Sequence, residues 1–141
     1  MWGEQEVKKE LSELEYGNCD VSAWEGSNIN PYKELNGFWL GSSLKISPYE
    51  QVEVLSKIFE GKSFYDSQNV EILKKIMLIE DEQEKKVYGK TGSGTNGEAW
   101  FIGFTEKGQQ REYFAVYLED SLQKERVSSS LAQEIALKII E

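Results

Sequence analysis

Lys90, Thr91 and Gly92 stand in consecutive positions within VYGKTGSGTNGEAWFIGF, Val87 to Phe104. An ammonium, a hydroxyl and a backbone without a side chain thus meet at the edge of a segment that reads as a strand. The cation and the hydroxyl together can hold a carboxylate. Unpaired N–H groups along a strand edge can face a carbonyl whose oxygen gains charge. Glycine leaves clearance for a ligand to lie along that edge. The same tripeptide also fits a plain strand end entering a hairpin turn, with the lysine in solvent.

Two further clusters could border such a site. Tyr16-Gly17-Asn18 follows a helical pattern and can aim two polar side chains from one tight turn into a cleft. By composition alone it is a helix-terminating turn. Phe38-Trp39-Leu40 precedes a capped helix and by composition alone is core.

Composition narrows the chemistry. The 141 residues contain no histidine and one cysteine, Cys19. That excludes Ser-His-Asp and Cys-His triads, histidine-ligated metals, a cysteine zinc site and an internal disulfide. Acid–base work near neutral pH must use lysine, tyrosine, a shifted carboxylate or water. The net charge of −9, from 25 acidic and 16 basic residues, disfavours nucleic acid and anionic membrane surfaces. A local lysine can still act on a small anion against that field. At 39% hydrophobic and 29% charged the chain reads as one ordinary globular domain. No window approaches the ~18 consecutive apolar residues of a spanning helix. The N-terminal MWGEQEVKKELSELE has no apolar signal-peptide core.

The elements that must position these residues follow from periodicity. Glu4 to Leu14 predicts a helix, with Val7, Leu11 and Leu14 on one face. Cys19 to Gly37 predicts a long loop, a length often tied to function. ISPYEQVEVLSKIFEG predicts a helix capped by Ser47, with Pro48 at its first position and Glu50 completing a capping box. Val52, Leu55, Ile58 and Phe59 form its stripe, and Gly61 stops it. A second helix, capped by Asp66 or Ser67, presents Val70, Leu73, Ile76 and Met77. EDEQEKK then reads as a solvated turn. Three strands follow, Val87 to Thr91, Trp100 to Glu106 and Glu112 to Glu119, joined by Gly-containing turns. A last helix from about Ser130 to the end has Leu131, Ile135, Ile139 and Ile140 on its apolar side. The expected class is α+β: a helical part over 1–86, then an antiparallel three-strand meander and terminal helix over 87–141.

Taken in order, YGNCDVS, FWLGSSLKISPYEQVEVLSKIF, YGKTGSG, GEAWFIGF and YFAVYLED resemble the class D β-lactamase family. They resemble equally the penicillin-sensor domains of membrane-bound β-lactam receptors, which share that fold. The resemblance runs from about Tyr16 to the C-terminus. It implies part of a β-lactamase/penicillin-binding (transpeptidase-like) fold and a β-lactam or peptidoglycan-like peptide as partner. It implies no cofactor or metal, and an extracytoplasmic setting. Within the family, the tyrosine and asparagine matching Tyr16 and Asn18 border the active-site cleft. Lys90, Thr91 and Gly92 match the strand that holds the β-lactam. Ser93 falls where an oxyanion-hole N–H is expected. Trp39 matches the tryptophan whose indole N–H steadies a carboxylated lysine, the general base. Tyr16, Asn18, Trp39 and Lys90 are thus the candidate catalytic positions.

The departures from the family pattern are informative. The family carries its nucleophilic serine and base lysine as S-x-x-K, and a second motif S-x-V, both upstream of Y-G-N. The present chain begins too late to include them, so no nucleophile is assigned. Ser42-Ser43-Leu44-Lys45 spells S-x-x-K but lies inside the FWLGSSLKISP match and precedes the Ser47 cap. It is rejected as the nucleophile motif. The connection from Tyr16 to Trp39 is longer than usual. Many class D enzymes bind the substrate carboxylate with an arginine near the start of the last helix. Here that stretch is SSLAQEIALKII, with Arg126 nearby but out of register. Three functions fit: the C-terminal part of an acyl-enzyme, a slow-deacylating receptor, or a non-catalytic remnant. A half domain would bare a sheet edge and apolar surface toward a missing N-terminal half or a second copy.

Overall fold

The computed structural model describes residues 3–25, 37–94, 97–120 and 127–140. Its elements run α1 (Glu4–Leu14), α2 (Pro48–Phe59), α3 (Ser67–Met77), β1 (Leu78–Asp81), β2 (Lys86–Ser93), β3 (Ala99–Lys107), β4 (Gln110–Leu118) and α4 (Ser129–Ile140). The middle of the expected long loop, 26–36, and Arg126 lie outside the described residues.

Local chemistry sets the helix boundaries. At α2 the Ser47 hydroxyl accepts from the Glu50 N–H at 3.3 Å, and the Glu50 carboxylate accepts from the Ser47 N–H at 2.8 Å. Pro48 sits at the first position, where its missing N–H costs nothing. α3 starts at Asp66, whose carboxylate accepts from the Gln68 N–H at 2.8 Å. α1 ends where Glu15 turns left-handed, at φ 54°. Lys57 of α2 reaches its last turn, donating to the Leu14 carbonyl at 3.3 Å and pairing with Glu15. A cation there opposes the negative helix end.

The sheet is antiparallel, in the order β1-β2-β3-β4. The three expected strands form its meander. β1 is an addition: it follows directly from α3 and pairs with the start of β2, taking residues that read as helix end and charged turn. Its four residues are all exposed, so no burial pattern marks them in sequence.

Strand alternation divides the core between two faces. Tyr88, Ile102, Phe104 and Tyr113 face α2 and α3, packing with Leu55, Phe59 and Met77. Phe101, Phe114, Val116 and Leu118 face α4 and close over Ala132 and Ala136. Two helix faces therefore differ from expectation. α4 buries its alanines, while Leu131 and Ile139 stay exposed. On α3 only Met77 is buried, and Leu73 and Ile76 are exposed. Small residues let α4 approach the phenyl rings closely, so its bulky stripe turns outward. Among the described residues no helix is long and apolar enough to cross a membrane.

Candidate functional site

Helix α1 hands the chain to Tyr16-Gly17-Asn18, and this turn is built onto the segment before α2. Gly17 has φ 52°, and a Cβ there would lie 1.9 Å from the Lys45 carbonyl oxygen. Only glycine fits both the left-handed backbone and the close approach. Asn18 then fastens the two segments. Its N–H donates to the Lys45 carbonyl at 3.0 Å. Its amide donates to the Ser43 carbonyl at 2.9 Å, and its Oδ1 accepts from the Lys45 N–H at 2.9 Å. Asn18 thus holds a wall of the cleft in place and does not itself line it.

The Phe38-Trp39-Leu40 triplet splits. Phe38 is buried and stacks on Trp24 at 5.2 Å between centroids. Trp39 is 56% exposed and stands edge-on to Phe38, so it is not core. Its ring folds over Gly37, where a Cβ would come within 2.1 Å of it.

The other wall is the end of β2. Lys90 pairs with Ile102, Thr91 with Phe101, Gly92 with Trp100 and Ser93 with Ala99. Alternation puts Lys90 and Gly92 on the α2 side with Ile102 and Trp100, and Thr91 on the side of Phe101. β1 pairs with β2 only at Lys86, Val87 and Tyr88. Beyond Tyr88 the outer edge of β2 has no strand partner among the described residues. This is the open edge that the tripeptide implied.

Between the walls lies a cleft of about 520 Å³. Tyr16, Trp39, Lys90, Thr91, Gly92 and Ser93 all line it. Seventy-three residues of sequence lie between Tyr16 and Lys90, and the fold brings them to one cavity. The Lys90 ammonium donates to the Thr91 carbonyl at 2.6 Å. Burial pushes the Tyr16 phenol above its ordinary value, so it stays protonated as a donor. Tyr117 is pushed up to about 12, by burial first and then by its bond to Glu119.

Gly92 is informative because the fold does not require it. A Cβ there would meet only the Trp100 Cβ, at an ordinary 3.5 Å.

Ser42 to Lys45 lie outside any helix. The Ser43 hydroxyl donates to the Asp20 carbonyl at 2.9 Å and accepts from the Ala23 N–H at 3.2 Å. Ser43 is a structural hydroxyl at an inner position of the tetrapeptide; Ser42, its first residue, lies with Lys45 in the same non-helical stretch. Among the described residues no group of three or more acidic or cysteine side chains could hold a metal.

Sequence reasoning did not single out Gln51, Trp100 or Tyr117, and weighed Lys45 only as the lysine of the rejected S-x-x-K; all four also line the cleft. For Trp100 and Tyr117 a signal existed. Once the hairpins are in register, Gly92, Trp100 and Tyr117 lie side by side across three strands.

The whole chain, residues 1–141, matches the penicillin-binding protein transpeptidase domain, and it belongs to that family. It is 33% identical to the regulatory protein BlaR1 of Bacillus licheniformis over 99% of its own length and 22% of that protein. It is 33% identical to the β-lactamase OXA-1 of Escherichia coli over 98% of its length and 51% of that enzyme. The solved C-terminal domain of the Bacillus licheniformis BlaR penicillin-receptor superposes with a TM-score of 0.77 at 33% identity. That match covers 98% of this chain and 52% of the receptor domain. The chain thus spans about half or less of the relatives it matches, and corresponds to the C-terminal half of the class D β-lactamase and penicillin-sensor fold.

Proposed function

We propose that this chain provides the substrate-binding wall of a penicillin-recognising serine acyl-enzyme. The observation that carries the reading is the convergence of Tyr16, Trp39 and Lys90-Thr91-Gly92 on one cleft beside an open strand edge. In this reading Lys90 and Thr91 hold the β-lactam carboxylate and Gly92 gives the ring clearance. The Ser93 N–H faces the oxygen of the reacting carbonyl. The Trp39 indole donates to the carboxylated base lysine. Tyr16 borders the reacting centre as a protonated donor. The nucleophilic serine and the base come from the S-x-x-K helix that precedes Y-G-N in the family, outside these 141 residues. Without them the chain binds and does not turn over.

The receptor use of the same wall, with slow deacylation, is favoured by one feature. Helix α4, SSLAQEIALKII, supplies no arginine for the substrate carboxylate. Either use belongs on the extracytoplasmic side of the membrane, where β-lactams and peptidoglycan peptides are met. The partner for the exposed residues of α3 and the outer edge of β4 is the other half of the domain, or failing that a second copy.

Intact-mass measurement after incubation with benzylpenicillin tests the division of labour. The expected result is an unchanged mass. A single stoichiometric adduct would place a nucleophile within the chain, and Ser42 would be the first residue to replace.

A further inference from the structure

The charge on the cleft walls runs against the charge of the chain. The net charge is −9, yet the cleft is lined by two lysines, Lys45 and Lys90, and one carboxylate residue, Glu98. Lys45 comes from the segment before α2, and Lys90 from β2 on the other wall. Neither ammonium has a carboxylate partner among the described residues; the hydrogen bond of Lys90 is to a carbonyl.

Among the described residues Lys9, Lys57, Lys74, Lys86 and Lys138 pair with carboxylates, whereas Lys8, Lys62, Lys75, Lys85 and Lys107, like Lys45 and Lys90, form no such pair. What sets Lys45 apart from an ordinary surface lysine is its backbone. Its backbone is held on both sides by Asn18, and the approach of Gly17 packs against its carbonyl. Its Cα is therefore a fixed point on the cleft wall. A cation without a carboxylate partner beside a cavity lowers the free energy of an anion placed there.

We propose that Lys45 is a second anion-recognition residue of the cleft, so that the site prefers β-lactams carrying a second carboxylate on the side chain. The inference rests on the β-lactam reading of the cleft. In that arrangement Lys90 takes the carboxylate on the fused ring and Lys45 takes the one on the side chain.

The test compares benzylpenicillin with α-carboxybenzylpenicillin, which differs only by the added carboxylate. Amide chemical-shift titrations of the full chain at low salt give both affinities. The expected result is about two- to fivefold tighter binding of the dicarboxylate, the range of an exposed ion pair. Raising the salt should erase the preference. Lys45→Met should bring the ratio of the two affinities to about one, and Lys45→Arg should keep it above one. If benzylpenicillin shifts the cleft amides but the ratio is already one, or survives Lys45→Met, the inference is wrong and the β-lactam reading stands. If neither compound shifts the cleft amides, both fall.

Discussion

Asn18 and Lys45 exchange hydrogen bonds much as strand partners do: Asn18 N donates to Lys45 O at 3.0 Å, and Lys45 N donates to Asn18 Oδ1 at 2.9 Å. A side-chain amide thus stands in for a backbone group and fastens the end of α1 to the segment that carries Trp39. Replacing it should loosen the cleft wall more than the core. Asn18→Ala should cost about 1 kcal/mol in a urea melt, since the freed groups are partly solvated.

Gly17 beside it has no tolerance. Gly17→Ala combines a φ of 52° with a Cβ 1.9 Å from a carbonyl oxygen. It should cost at least about 3 kcal/mol or abolish folding. Gly61 is the control: its φ is 68°, but a Cβ there would meet nothing within 4 Å. Gly61→Ala should cost only the left-handed strain, about 1 kcal/mol. Equal losses at the two sites would contradict the close packing of the Tyr16 turn on Lys45.

Gly92→Ala separates fold from function. A Cβ has ordinary space there, and removing a glycine restricts the unfolded chain. Thermal stability should hold or rise slightly. The new methyl group should nevertheless weaken penicillin binding, because it stands on the face along which the proposed ligand would lie. A marked fall in stability would show that Gly92 serves the fold instead.

Glu106 predicts an acid dependence. It receives Lys74 at 2.7 Å and Arg111 at 2.6 Å on the same oxygen, so it ties α3 and β4 to β3. Burial raises its pKa, but bonds from Lys74, Arg111 and Tyr88 outweigh burial and hold it below the ordinary carboxylate value. The unfolded state then binds the proton more readily than the folded state. The stability from this group is complete above the unfolded pKa and drains away as pH falls through the folded one. Glu106→Gln should lower stability at neutral pH and flatten the decline below about pH 4.5. Tyr88 should titrate at about 12, raised by burial first and then by Glu106. The same variant should lower that value, which ultraviolet difference titration reads.

Ile76 and Ile139 are 71% and 74% exposed, on α3 and α4. Unpaired apolar surface of this kind drives association. Sedimentation velocity of the chain alone should show concentration-dependent self-association. Ile76→Glu with Ile139→Lys should reduce it without lowering the melting temperature. Strictly monomeric behaviour of the unaltered chain at high concentration would overturn this expectation.

Local signals made much of the frame legible. The Ser47–Pro48–Glu50 cap, the Asp66 cap and the Gly-containing turns are encoded within a few residues, and their elements sit as expected. β1 was not legible, because Leu78–Asp81 becomes a strand only by pairing with Lys86–Tyr88. The inward faces of α3 and α4 were misjudged for a related reason. Apolar periodicity marks what a helix can bury, and the neighbours present decide what it does bury. At the site, K-T-G and Y-G-N were visible as motifs, but Asn18 as a fastener and Lys45 as a lining cation emerge only when Gly17 meets Lys45. Trp39 and Phe38 are adjacent in sequence and opposite in burial, a distinction no hydrophobicity pattern carries.

The most direct test of the central claim is an amide chemical-shift map of the chain titrated with benzylpenicillin. The account predicts shifts confined to residues 90–94, the Trp39–Ile46 wall and Tyr16, saturating together as one weak site. Shifts absent at saturating ligand, or concentrated on the α4 side of the sheet, would contradict it.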